Sequence, residues 1–257
     1  MNNNLKGFLL EIIPKKLLIN LKKIHYFLSL KHFDQKNEPD FKVLKSIIKE
    51  GDKVIDIGSN IGAYTKFLSG LVSENGLVLS IEPIPETFEI LKSCVKRLKL
   101  NNVQLLNYAI SSNGGKSRMQ VPKYDFGGYN FYQARLINND NLEDSFNYFT
   151  VTMKTLDSLI SYVDTKFSFI KCDVEGHELS VIKGSQNIIS KFKPIWLIEV
   201  TSDPDESDSP ASELFHIMLR HGYVVYWFDG EKLRQRQKGD RSTNYFFITP
   251  IQMERFS

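Results

Sequence analysis

The sequence is poor in cysteine and in excess charge, and both deficits exclude classes of protein. Its 257 residues include two cysteines, Cys94 and Cys172, which form neither a metal-ligand spacing nor a disulfide framework. So little cysteine predicts a reducing compartment, and we expect a cytoplasmic protein. The net charge of +3 is too small, and the basic residues are too scattered, for a dedicated nucleic-acid binder. We therefore expect no nucleic-acid partner.

Long apolar runs are also missing, and this bears most on the first 50 residues. Their first apolar run stops at Pro14, well short of the roughly 18 residues that a membrane-spanning helix needs, and it lacks the pattern of a signal peptide. A hydrophobic content of 42% in 257 residues is sufficient for one sizeable core. We expect residues 1–50 to form an N-terminal helical extension and residues 51–257 to form one domain.

The N-terminal extension has a basic, amphipathic pattern. Residues 1–36 contain seven lysines and two acids, which give a net charge of +5. A helical period places five large apolar residues along one face: Leu17, Leu18, Leu21, Ile24 and Leu28. We expect this helix to cap one edge of the domain or to form the seam of a homodimer. Peripheral contact with the inner face of a membrane is the alternative.

The most informative stretch joins a predicted strand, residues 53–57, to a predicted helix. The turn between them reads Gly58-x-Asn60-x-Gly62 and follows Asp56 near the strand end. Glycine tolerates positive φ and has no Cβ to keep a ligand away, and the start of a helix offers unpaired N–H groups. Such a turn suits a nucleotide-like cofactor, with Asp56 placed to bond an amino-acid portion of that cofactor.

The second predicted strand ends at Glu82, 20 residues beyond Gly62. An acid at this position binds a ribose in dinucleotide-binding βαβ units. The complete G-x-G-x-x-G fingerprint of those units is absent, because Asn60 takes the place of the second glycine. No pyrophosphate is expected, so S-adenosylmethionine is favoured over NAD, and an NAD-dependent oxidoreductase is the alternative. The third predicted strand brings Asn107 and Ala109 to where an adenine would lie.

Residues 112–150 interrupt the alternation of strands and helices with glycine pairs and short runs rich in tyrosine and phenylalanine. This pattern predicts an inserted hairpin. The alternation then resumes, and three acids stand at the ends of the fourth and fifth predicted strands: Asp173, Glu175 and Glu199. In an open parallel sheet, ligands bind at the carboxyl ends of the strands. We therefore expect these acids to line one crevice with the cofactor.

Four stretches together carry a family resemblance: residues 56–62, Glu82-Pro83, residues 107–111 and, most specifically, Lys171-Cys172-Asp173-Val174-Glu175-Gly176-His177-Glu178. They resemble the motifs of the FkbM family of S-adenosylmethionine-dependent methyltransferases, from about residue 51 to residue 200. The resemblance implies a class I methyltransferase fold, which is a Rossmann-like α/β architecture with seven strands in the order 3-2-1-4-5-7-6. It also implies O-methylation of hydroxyl groups on sugars or natural products.

Methyl transfer to a hydroxyl requires that the acceptor is aligned and loses a proton, which a carboxylate can accept. Asp173 is the first candidate base, with Glu175 or Glu199 orienting the acceptor. A Mg²⁺ ion held by Asp173 and Glu199 is a less favoured alternative. His177 is interpreted as a capping or surface histidine, with a role as base as the alternative. We expect a small-molecule acceptor, with a sugar or glycan favoured, and a catalytically inactive nucleoside-binding protein is a further alternative.

Overall fold

The computed structural model describes residues 14–34, 36, 38–123, 129–137, 143–160 and 166–254. The first apolar run, residues 8–13, lies outside them. The N-terminal half contains α1 (Lys15–Lys31), α2 (Phe41–Ile47), β1 (Lys53–Ile57), α3 (Ala63–Val72), β2 (Leu77–Ile81), α4 (Pro85–Leu98) and β3 (Val103–Leu106). The strands of the insert follow, and they are β4 (Ala109–Ile110), β5 (Gly115–Pro122), β6 (Arg135–Ile137) and β7 (Phe146–Lys154).

The C-terminal half resumes the alternation of helices and strands. Its elements are α5 (Leu156–Ile160), β8 (Phe169–Cys172), α6 (Glu178–Lys183), α7 (Gln186–Lys191), β9 (Ile195–Glu199), α8 (Pro210–Arg220), β10 (Val224–Phe228), β11 (Leu233–Gln235), β12 (Asn244–Ile248) and α9 (Pro250–Met253). The sequence predicts one helix in place of α6 and α7. The chain turns between them because the Asp157 carboxylate accepts hydrogen bonds from the backbone N–H groups of Asn187 and Ile188, which starts a new helix.

Eight strands form one mixed sheet in the order β11-β10-β12-β9-β8-β1-β2-β3. Strands β9, β8, β1, β2 and β3 run parallel, whereas β12, β10 and β11 pair antiparallel. Without β11, the strands follow the predicted order 3-2-1-4-5-7-6. The prediction of seven strands was wrong, because β11 adds an eighth strand at the edge of the sheet. Leu233–Gln235 shows no alternation of apolar and polar residues and joins the sheet by backbone pairing with β10.

The insert forms a second sheet of four strands, in the order β4-β7-β5-β6. Strands β5 and β7 pair antiparallel from Gly115↔Met153 to Pro122↔Phe146, so the predicted hairpin is present. The sheet is larger than predicted, because β6 adds to β5 and β4 adds to β7. The third strand of the main sheet therefore ends at Leu106, and the chain changes sheet before Ala109.

Apolar clusters cover both faces of the large sheet, which explains why its strands are almost continuously apolar. Val54 and Val78 pack on one face, and their neighbours Ile55 and Leu79 pack on the other. Phe41 of α2 belongs to the same cluster as Val54. The end of the predicted extension thus packs into the core of the domain predicted for residues 51–257.

Helix α1 lies against α4. Its Tyr26, Phe27 and Leu30 form an apolar cluster with Ile90 and Cys94 of α4. Four residues of the predicted stripe lie on another face of α1 and are 46% to 50% exposed: Leu17, Leu21, Ile24 and Leu28. None of the described helices is long and apolar enough to cross a bilayer.

Candidate active site

A cavity of about 330 Å³ opens at the carboxyl ends of β1, β2 and β8. The turns after these strands form one side, and α1 and the insert reach the other. The described structure places six of the predicted site residues on the cavity wall: Gly58, Asn60, Glu82, Ala109, Asp173 and Glu175. It places the other four outside the wall: Asp56, Gly62, Asn107 and Glu199.

The turn after β1 contains four consecutive residues of the wall, residues 58–61, of which Gly58 and Asn60 have positive φ, at +78° and +48°. A Cβ at Gly58 would lie 1.7 Å from the carbonyl oxygen of Asp173. Glycine is therefore required so that the turns after β1 and β8 can meet, which is a different reason from the predicted approach of a ligand. Gly62, with φ of +102°, precedes α3 and faces Leu91 instead of the cavity.

Glu82 is 5% exposed, and both of its carboxylate oxygens are oriented by the backbone. Oε2 accepts from the N–H of Asn60 at 3.1 Å, and Oε1 accepts from the N–H of Ile84 at 2.9 Å. Burial raises the pKa of Glu82 to about 7. Each oxygen keeps a further acceptor position, so the carboxylate is fixed and still able to bind two hydroxyl groups. Asn107 supports this strand end from outside, by donating to the carbonyl oxygens of Glu82 and Pro83.

Asp56 lies between β1 and α3, fully buried, and its Oδ2 accepts from Thr65 Oγ1 at 2.6 Å. Burial raises the pKa of Asp56, and among the described residues its Oδ1 has no hydrogen-bond partner. Lys171 of β8 is the nearby cation. Its Nζ lies 2.8 Å from Asp173 Oδ2 and 4.4 Å from the centre of the Tyr64 ring. Burial alone would lower the pKa of Lys171, but the charges of Asp173 and Asp56 outweigh it and hold that pKa above its usual value.

The three predicted catalytic acids come together beside this pair. One carboxylate oxygen of each of Asp173, Glu175 and Glu199 lies within 4.8 Å of the others. Burial, followed by the hydrogen bond and the negative charge of Asp173, raises the pKa of Glu199 to about 8. Burial would also raise the pKa of Asp173, but Lys171 and Glu199 together lower it. The spacing of the three oxygens also suits a hard divalent cation.

Glu175 is the exposed member of this cluster, and it sits in a strained turn. Its φ is +54°, which is unusual for a residue with a side chain, and Gly176 follows with +91°. Glu178 fixes the turn, because its Oε1 accepts from the N–H groups of Val174 and Gly176 at 3.1 and 3.0 Å. Partial burial, together with the charges of Asp173 and Glu178, raises the pKa of Glu175 to about 7.

Sequence reasoning missed several residues of the cavity wall. His177 precedes α6, but its ring faces the cavity, where Nε2 lies 2.9 Å from Ser111 Oγ and burial lowers its pKa. Tyr64 and Glu38 also reach the wall, with the Tyr64 hydroxyl donating to Glu38 Oε2 at 3.2 Å. Their positions depend on contacts between distant parts of the chain. Tyr108, which also lines the cavity, lies within residues 107–111, the stretch expected near an adenine.

The fold and the cavity together define a class I methyltransferase. Residues 56–225 match the family described as Methyltransferase FkbM domain, and the chain belongs to this family of S-adenosylmethionine-dependent methyltransferases. The predicted family and fold class are thereby confirmed. This membership favours methyl transfer over the alternative of an NAD-dependent oxidoreductase.

Two curated relatives and one solved structure illustrate the likeness. Hexuronic acid methyltransferase AglP of Haloferax volcanii is 28% identical over 179 residues, which are 68% of this chain and 67% of that protein. A protein-L-isoaspartate O-methyltransferase of Methanococcus aeolicus is 37% identical over 78 residues, 30% of this chain and 34% of the relative, so the chain spans about a third of that enzyme. The structure of methyltransferase FkbM from Methylobacillus flagellatus matches with a TM-score of 0.51 at 18% identity, over 87% of this chain and 58% of that one, and shows the shared fold.

Proposed function

We propose that this protein transfers a methyl group from S-adenosylmethionine to a hydroxyl group of a sugar or glycan. The observation that carries the proposal is a single cavity with acidic residues at the ends of two different strands. Glu82, oriented by backbone N–H groups, lies beside the turn after β1, and Asp173 and Glu175 lie at the turn after β8. The similarity to a hexuronic acid methyltransferase supports a sugar as the acceptor class.

The wall fits the nucleoside part of this cofactor. Glu82 would accept hydrogen bonds from the ribose hydroxyls. Each of its oxygens already accepts one hydrogen bond from a backbone N–H group and can accept another. Tyr108 and Ala109 would contact the adenine, and Gly58 and Asn60 would lie along the rest of the cofactor. Bound S-adenosylmethionine supplies an electrophilic methyl group on a sulfonium. We assign Asp56 a structural role in supporting this wall, because its carboxylate accepts a hydrogen bond from the Thr65 hydroxyl.

Orienting the acceptor hydroxyl and removing its proton are tasks of different acids. A general base works best when its pKa is near the working pH. Lys171 keeps the pKa of Asp173 low, so Asp173 is a weak base but a fixed hydrogen-bond acceptor for a hydroxyl. Glu175, with a pKa of about 7, is the better proton acceptor. We therefore propose that Asp173 orients the hydroxyl, that Glu175 takes its proton, and that Glu199 holds Asp173 in place.

Transfer of a labelled methyl group to a panel of sugars, sugar nucleotides and glycans, including hexuronic acids, tests this proposal. A hexuronic acid offers hydroxyls and a carboxylate, and the negative acids of the cavity disfavour the carboxylate. We expect the label in a methyl ether, which survives mild alkali. We also expect equal turnover in EDTA and in Mg²⁺, because the raised pKa of Glu199 disfavours the ionised carboxylate that a divalent cation needs as a ligand. An alkali-labile methyl ester would contradict hydroxyl transfer, and turnover lost in EDTA and restored by Mg²⁺ would favour the metal-assisted alternative.

A further inference from the structure

Helix α1 exposes an apolar face that nothing in the described structure covers. Six large apolar side chains are exposed in the described part of the chain, and four of them lie on α1: Leu17, Leu21, Ile24 and Leu28. Their spacing of four, three and four residues aligns them along one side of the helix, and we call them the leucine stripe. The other two, Leu219 and Ile251, stand singly on α8 and α9. An aligned set of this kind marks an interaction surface, whereas single exposed apolar residues are ordinary.

The charge of α1 limits what the leucine stripe can meet. The helix contains five lysines and no acid. Residues 1–36 carry +5 in a chain of +3, so the remainder of the chain carries a net −2 and the basic charge is concentrated here. Lys23 is paired with Glu89 of α4 at 3.5 Å, whereas Lys31 is exposed at the end of the helix. Pairing of two α1 helices through their stripes would bring together two basic helices, neither of which contains a carboxylate. An apolar stripe on a basic helix is instead complementary to an anionic lipid surface.

We propose that α1 docks this protein on the surface of an anionic membrane, with the leucine stripe buried among the lipid headgroups and upper acyl chains. The helix would lie parallel to the surface, because its opposite side is occupied by Tyr26, Phe27 and Leu30 packing against α4. Lys31 is exposed at the end of the helix, where its ammonium reaches lipid phosphates. Attraction between the basic helix and the anionic lipids makes the docking dependent on salt.

Docking has a consequence for the cavity. Ser29 and Leu30 of α1 line it, and Lys22 Nζ lies 5.1 Å from the ring of Phe131, an insert residue that lines it as well. The cavity therefore lies about one helix diameter, roughly 10 Å, from the leucine stripe. This places the acceptor close to the bilayer and suits an acceptor carried on a lipid. That consequence rests on the proposed function, whereas the docking itself does not.

Sedimentation of the full chain with vesicles tests the docking without any measurement of activity. The vesicles are phosphatidylcholine alone or phosphatidylcholine mixed with phosphatidylglycerol. We expect binding to the mixed vesicles at least tenfold stronger than to the neutral ones, and weaker binding at high salt. The variant that combines Leu17→Gln, Leu21→Gln, Ile24→Gln and Leu28→Gln should lose at least tenfold in binding to mixed vesicles. A matched variant with Leu219→Gln and Ile251→Gln should bind like the wild type.

Thermal unfolding of both variants, monitored by circular dichroism, shows whether a loss of vesicle binding results from a loss of folding. Because all six side chains are about half exposed or more, we expect both variants to unfold near the wild-type temperature. Failure of the wild type to bind mixed vesicles, or equal binding by the stripe variant, overturns the proposal. A wild-type dimer that the stripe variant converts to a monomer, with no vesicle binding by either, assigns the stripe to self-association instead.

Discussion

Replacement of Glu175 by Gln should lower turnover by about two to four orders of magnitude, the usual contribution of a general base. Gln keeps the size of the side chain and removes the proton acceptor. The Glu175 side chain is exposed at the cavity, so its loss leaves the core intact. Cofactor binding should change little, because the ribose is assigned to Glu82. Steady-state kinetics and a calorimetric titration with S-adenosylhomocysteine separate the two effects.

The pH profile distinguishes a base from a residue that merely shapes the cavity. Glu175 accepts a proton in its ionised form, and its pKa is about 7, so kcat/KM should rise with pH up to about 7 and then level off. Glu175→Gln should lack this rise. Glu74→Gln, at an exposed position between α3 and β2, serves as the control and should behave like the wild type. Normal turnover in Glu175→Gln, with a large loss in Asp173→Asn, would return the role of base to Asp173.

Replacement of Lys171 by Met should lower the free energy of unfolding by about 3 to 5 kcal/mol, the cost of leaving a buried charge without its partner. Lys171 is 6% exposed and is the cation between Asp56 and Asp173. Met has a similar length and no charge, so both carboxylates lose their counter-ion. Denaturant unfolding at fixed pH measures the change. Lys183→Met is the matched control, because it breaks a pair with Glu213 that is about half exposed, and such pairs contribute about 0 to 1 kcal/mol.

The deficit of Lys171→Met should also depend on pH. Without the ammonium, burial raises the pKa of Asp56 and Asp173 in the folded state above their values in the unfolded chain. The folded variant then binds more protons than the unfolded chain, so its stability falls as pH rises from about 4 towards 7. The wild type should show a smaller fall over this range. Equal stability of variant and wild type at pH 7 would mean that the two acids need no counter-ion.

The parts of the site that local sequence specifies were predictable. The turn from Gly58 to Gly62, the strand ending at Glu82 and the acids after β8 each follow a short apolar strand, and a parallel sheet brings such strand ends together. The positions of these residues were easier to predict than their structural roles. Gly58 makes room for the Asp173 carbonyl, and Asp56 turns into the space under α3 to meet Thr65, because alternate residues of a strand face opposite sides.

The wall of the cavity formed by α1 and the insert depends on contacts between distant parts of the chain, which no local sequence pattern predicts. Helix α1 shows two apolar faces in sequence, and its packing on α4 decides that the leucine stripe is the exposed one. Phe131 and Leu136 of the insert reach the cavity because the second sheet folds over it, and strand patterning gives no information on that placement. The pKa order of Asp173 and Glu175 likewise depends on Lys171, whose strength as a counter-ion follows from its burial.

Calorimetric titration with S-adenosylhomocysteine, on the wild type and on Glu82→Ala, tests most directly that this cavity holds the cofactor. The wild type should bind S-adenosylhomocysteine and show no binding of NADH. Glu82→Ala should bind more weakly by about 1 to 3 kcal/mol, the range for a lost hydrogen bond to a charged group, while Glu74→Ala should bind like the wild type. Thermal unfolding of Glu82→Ala checks that the turn after β1 persists. Equal affinity of a folded Glu82→Ala, or binding of NADH in place of S-adenosylhomocysteine, would contradict the account.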